Sequence, residues 1–162
     1  MSAKLKIPSV FFIGLLLIVL LPSCYKEPTC KNENQHTGII LNWPRIPCVL
    51  TPPPNFTGSI NEFIINDDTA FKQFFSAGCE LPVIDFKTQT LLGFDAGTRG
   101  CTVKFIREVL KIESENRYHY KVISEGCGTC RDMAWSYHWV LVPKLPDGWT
   151  VTFEAIETER QL

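Results

Sequence analysis

This chain of 162 residues carries 16 basic and 17 acidic side chains, for a formal charge of −1, and 45% of it is hydrophobic. That length suits one domain with a real core, and the even charge balance argues against nucleic acid or an anionic membrane surface as a partner. Seven cysteines and a wealth of aromatics (eleven Phe, four Trp, four Tyr) point to a cross-linked, aromatic-rich domain.

Lys4 and Lys6 make a basic start, and Val10 to Leu21 holds only apolar residues and glycine. This run is shorter than the ~20 apolar residues a membrane span needs. It has the layout of a secretory signal covering residues 1–23. Leu21-Pro22-Ser23-Cys24 resembles a bacterial lipoprotein signal, which implies acylation of Cys24 and anchoring to a lipid bilayer. Tyr25, rather than Asp, follows the cysteine, so the expected location is the outer membrane, on either side of it. With Cys24 set aside, six cysteines remain: Cys30, Cys48, Cys79, Cys101, Cys127 and Cys130. An even number in an exported chain predicts three disulfides. Fifteen pairings are open, and pairing each cysteine with its nearest neighbour gives Cys30–Cys48, Cys79–Cys101 and Cys127–Cys130.

Residues 24–58 read as a tether followed by a proline-rich arm. Pro44, Pro47, Pro52, Pro53 and Pro54 exclude a central strand or a helix there, and Cys48 is the expected staple holding the arm down. The folded domain is expected over residues 59–162. Ile60 to Ile65 reads as a strand. Asn66 or Asp67 caps a helix with Ala70, Phe71, Phe74 and Phe75 on one face, and Gly78 stops it. Thr90 to Asp95 reads as a strand, Ala96 to Gly100 as a turn. From Cys101 to Lys111 the alternation slips in phase, which predicts a bulge or turn near Glu108. Tyr118 to Ile123, Trp135 to Val142 and Val151 to Ala155 are further strands. The sum is an α+β domain: one early helix packed on a mainly antiparallel sheet of five to six strands.

The order of these elements resembles the C-terminal domain of PrcB-like proteins, a family named for a lipoprotein subunit of a bacterial surface protease complex. The matching pieces are Phe71 to Phe75, Ile84-Asp85-Phe86, Leu91-Leu92-Gly93, Gly97 to Gly100 and Val142-Pro143-Lys144, spread over Ile60 to Glu157. The chain departs from the family at Arg99-Gly100-Cys101 and in its six cysteines. The resemblance implies a non-catalytic lipoprotein domain that binds or stabilises an envelope protein partner.

No cofactor or metal is expected from the sequence, since His36, His119 and His138 lack metal-ligand spacing. Two enzyme readings compete with the binding reading. Cys127-Gly128-Thr129-Cys130 has the spacing of a thiol–disulfide oxidoreductase, but no helix pattern opens after it to activate the first thiol. Asp132, Ser136 and His138 suggest a hydrolase, but Ser136 and His138 should point the same way along a strand, as part of a solvent-facing polar row. The opposite row, Trp135, Tyr137 and Trp139, is core by default. Where exposed it becomes a candidate binding surface for protein, or for sugar rings in a carbohydrate-binding module.

Overall fold

The computed structural model describes residues 35–48, 50–51, 61–75, 78–128, 130 and 132–161. Among these residues, seven strands form two sheets. In chain order they are β1 (Gln35–Gly38), β2 (Glu62–Ile65), β3 (Gln89–Arg99), β4 (Thr102–Ile112), β5 (Arg117–Cys127), β6 (Met133–Pro143) and β7 (Thr150–Gln161). One sheet has the order β1-β4-β5-β7 and the other β2-β3-β6. The expected single sheet of five to six strands is therefore corrected to two sheets. Strand alternation reveals which positions face a core, not which sheet a strand joins. Two pairings, β1 with β4 and β5 with β7, are parallel and join segments far apart in sequence.

The helix α1 spans only Asp68–Gln73. Asp67 caps it, its carboxylate accepting from the Ala70 N–H at 2.8 Å, and Gly78 takes the left-handed φ of 86° that favours glycine. Phe71, Phe74 and Phe75 bury against one face of the three-stranded sheet, meeting Phe63, Ile65, Leu91, Trp139 and Leu141. The opposite face of that sheet presents Leu92, Phe94, Ala96, Val140 and Val142 to Val109, Tyr118, Tyr120 and Val122 of the four-stranded sheet. The order of layers is thus helix and strap, three-stranded sheet, four-stranded sheet. The outermost face is wet: His119 pairs with Glu154, Lys121 with Glu108 and Lys104 with Glu125 across neighbouring strands.

Residues 35–48 and 50–51, expected to belong to the tether and arm, lie on the domain. β1 joins β4, the Leu41 N–H donates to the Leu141 carbonyl at 2.8 Å, and Leu50 bridges to Phe75. This strap ties the edges of the two sheets together. The pieces 24–34 and 52–58 lie outside the described residues.

The disulfides are Cys48–Cys79 and Cys101–Cys130. Cys127 is also oxidised, with its partner outside the described residues. All three nearest-neighbour pairings are thereby corrected. Cys48 does staple the proline arm, but to the end of the helix segment. Cys101–Cys130 closes the base of the β4–β5 hairpin, where the chain leaves the three-stranded sheet and returns to it. Cys101 and Cys130 lie on opposite sides of that exit, Cα atoms 4.8 Å apart.

Two local expectations also change. Ala96 to Arg99 is not a turn but the end of β3, running opposite β6 from Ser136 back to Met133. Its Gly97 serves packing: a Cβ there would meet the Trp135 ring at 2.6 Å. β4 has no bulge near Glu108, because its register with β5 runs unbroken from Thr102 to Ile112. The phase slip has another cause. Val103, Phe105, Arg107 and Val109 share the inward face of a regular strand, and Arg107 is the polar interruption.

Candidate functional site

Trp135, Tyr137 and Trp139 lie on the outer face of β6, but their burial is graded. Trp139 is buried in the aromatic core, Tyr137 is 37% exposed and Trp135 is 58% exposed. The gradient follows the cover. The helix and strap stop near Trp139, whose ring lies over Gly93 and meets Phe63 and Phe75. Beyond them, Met133, on the Trp135 face of β6, and Trp43 of the strap are each 49% exposed. The candidate surface therefore consists of Trp135, Tyr137, Met133 and the strap residue Trp43, with Trp139 as its buried root.

The inward row holds a polar cluster. Ser136 is exposed as expected, but His138 is fully buried, which corrects the expected solvent-facing row at that position. Its neighbours determine the reason. Arg107 donates to His138 Nδ1 at 2.9 Å, while His138 Nε2 lies 3.2 Å from Ser136 Oγ and 3.3 Å from the Ala96 carbonyl. A guanidinium has no acceptor, so Nδ1 accepts and Nε2 carries the proton. Burial, and then the nearby Arg107 charge, hold His138 down at about 4. Tyr120 closes the floor, donating to the His138 carbonyl at 2.8 Å, and burial pushes its hydroxyl far above the ordinary phenol range.

This geometry decides against the hydrolase reading on chemical grounds. Ser136 and His138 do converge, contrary to expectation. However, the nitrogen facing Ser136 already holds its proton and cannot take another. The orienting position, where a triad needs an anion, holds the cation Arg107. Asp132 lies at the strand entrance and accepts the Gly100 N–H through its backbone carbonyl. The oxidoreductase reading meets a similar obstacle. Cys130 is bonded to Cys101 rather than to Cys127, so the Cys127-Gly128-Thr129-Cys130 segment is not a dithiol pair. Among the described residues, no group of three or more His, Cys, Asp or Glu side chains could hold a metal.

Two cavities open beside this cluster. One, of about 520 Å³, is lined by Trp43, Arg45, Arg107, Ser136, Tyr137 and Trp139, with Pro44 and Ile46. The other, of about 500 Å³, runs along Thr102, Val103, Phe105, Met133 and Ala134 to Asp132 and Cys101. Arg107 and Ser136 line both. The strap joins the four-stranded sheet where the Ile39 N–H donates to the Val109 carbonyl at 2.9 Å, and at the Cys101–Cys130 end the sheets meet again, Ser124 Oγ donating to the Gly97 carbonyl at 3.4 Å. Volumes of this order match ligand sites, which run from roughly 300 to 1,000 Å³. Arg107 is the residue that sequence reasoning missed. Its signal was present as the break in β4 alternation, which was read as a backbone irregularity.

Residues carrying the family resemblance have structural duties. Asp85 accepts from Thr88 Oγ1 at 2.8 Å and from the Lys87 N–H, which lowers its carboxyl below the usual range. Lys144 donates to the Asn66 and Phe86 carbonyls at 2.7 and 2.9 Å. No family model, curated protein or solved structure matches the chain.

Proposed function

We propose that this chain is an outer-membrane lipoprotein, anchored through acylated Cys24, whose domain is non-catalytic and binds or stabilises a protein partner in the bacterial cell envelope. The observation that carries the reading is the exposed group of Trp43, Trp135 and Tyr137, with the thioether of Met133, beside the cleft at Arg107. Large exposed aromatics with one face supported are the residue types that anchor protein interfaces. The aromatic core and α1 next to β2 are in keeping with the finer reading of a PrcB-like domain, which rests on the short motifs named above. The histidine tautomer and the cysteine pairing weigh against the two enzyme alternatives.

Two measurements test the proposal. Radiolabelled fatty acid enters the wild-type protein and not Cys24→Ser; equal labelling of both removes the anchor. Capture from detergent-solubilised membranes recovers a stoichiometric protein with the wild type and not with Trp135→Ala/Tyr137→Ala. Recovery that is identical with both proteins removes the aromatic surface as the binding site. A second reading has one observation of its own: the Trp135 ring packs against Gly97 and is 58% exposed, as an aromatic that stacks on a sugar ring would be. Binding to a glycan array that Trp135→Ala abolishes, with no protein captured, replaces the first reading by this one.

A further inference from the structure

We propose that Arg107 is a carboxylate-reading anchor, and that the cleft takes an extended segment of a partner polypeptide with an internal Asp or Glu side chain seated on the guanidinium. The inference rests on the protein-binding reading above and names what that site recognises.

Arg107 reaches inward between the two sheets, yet none of the ion pairs among the described residues includes it. Among the described residues, its one side-chain hydrogen bond goes to the neutral His138 ring, and its buried Nε has no partner. A guanidinium taken from water without a counter-ion is costly, and burial lowers the pKa of Arg107 accordingly. The neighbouring strand positions could have supplied an acid. Glu108, one residue on, pairs instead with Lys121 at 2.9 Å on the outer face. Arg107 lines both cavities, and the Nη donors that His138 leaves over match a carboxylate; His138 holds the guanidinium in place from behind.

The 520 Å³ cavity has a second cation, the exposed Arg45, and no Asp or Glu in its lining. Its charge therefore complements an acid. Trp43 and Tyr137 wall it, supplying apolar contact for the residues next to that acid. The position of Arg107 favours an internal acid over a chain end. The guanidinium lines cavities on both sides, so a segment has room to run past it instead of terminating there. Asp132, in the far cavity, disfavours a second acid on that side.

The test uses the detergent-solubilised full-length lipoprotein and three pools of N-acetylated, C-amidated nonapeptides with random flanks. The central residue is Glu, Gln or Lys. The Glu pool is expected to bind at least about tenfold better than the others, the scale of one charge-assisted hydrogen-bond pair. Arg107→Met removes that preference, Arg107→Lys weakens it because the fork is lost, and Arg45→Ala reduces it less. Thermal melts check that each variant folds; should Arg107→Met fail, Arg107→Lys carries the comparison. Equal binding of the three pools, binding of none, or a Glu preference unchanged by both Arg107 variants overturns the inference. Partner capture that survives Arg107→Met but not Trp135→Ala/Tyr137→Ala leaves the binding reading intact and removes this one.

Discussion

Lowering the pH below neutrality selectively strains the interior at His138. The ring is fully buried, and its pKa falls from an ordinary 6.5 to about 4 in the folded state. Above pH 6.5 the imidazole is neutral folded or unfolded, and it contributes nothing to the pH dependence. Between that value and about 4, the unfolded chain takes a proton that the folded chain refuses. Unfolding is then favoured by about 1.4 kcal/mol per pH unit, reaching about 3 kcal/mol in all. Below the folded pKa both states are protonated and the loss levels off. Stability from this group is therefore present above pH 6.5 and lost as pH falls. The assay is urea denaturation at half-unit steps from pH 7.5 to 3.5. His138→Asn serves as the reference, since its amide oxygen can still accept from Arg107 but does not titrate. Carboxylate titration is common to both proteins and cancels in the difference. The wild type is expected to lose about 3 kcal/mol more than the variant over this range. Parallel curves would show that His138 is not held neutral by burial and Arg107, and the tautomer argument against a hydrolase would go with them.

Gly93→Ala places a Cβ 2.1 Å from the buried Trp139 ring, and should cost about 1–3 kcal/mol as overpacking. The double variant Gly93→Ala/Trp139→Leu should show a smaller cost for the alanine, measured as a non-additive unfolding free energy; strict additivity refutes the contact. Proteolytic mapping of the unreduced protein should find Cys48–Cys79 and Cys101–Cys130 linked, with Cys127 in a disulfide to neither pair. A Cys127–Cys130 peptide contradicts this. Cys101→Ser/Cys130→Ser should lower stability by roughly 2–4 kcal/mol in the same denaturation assay.

Much of the strand content was legible because alternation is a local property. Tyr118, Tyr120 and Val122 face inward as their spacing implies, and Asp67 caps the helix from one side chain and one N–H. What was not legible is non-local. Nothing near Gln35 announces a parallel partner at Ile106, and five prolines nearby made that stretch look like an arm. The site suffered from the same limit in reverse. Arg107 and His138 both interrupt apolar faces, each of which looked like a local irregularity or a surface row. Their meaning appears only when the two sheets bring them to within 2.9 Å.

The Cys101–Cys130 bond has a consequence for the order of assembly. The β4–β5 hairpin it brackets is built from neighbouring residues and turns at Asn116, so it can close early, with little loop entropy to overcome. The β3–β6 pairing must instead span that whole excursion, and β7 must find β5 across β6. Oxidation of the bracket shortens the effective loop between β3 and β6 to a few residues and turns a distant encounter into a neighbouring one. The late, aggregation-exposed step of folding then becomes the docking of β7. The most demanding pairing of the three-stranded sheet thus rests on one covalent bracket formed outside it.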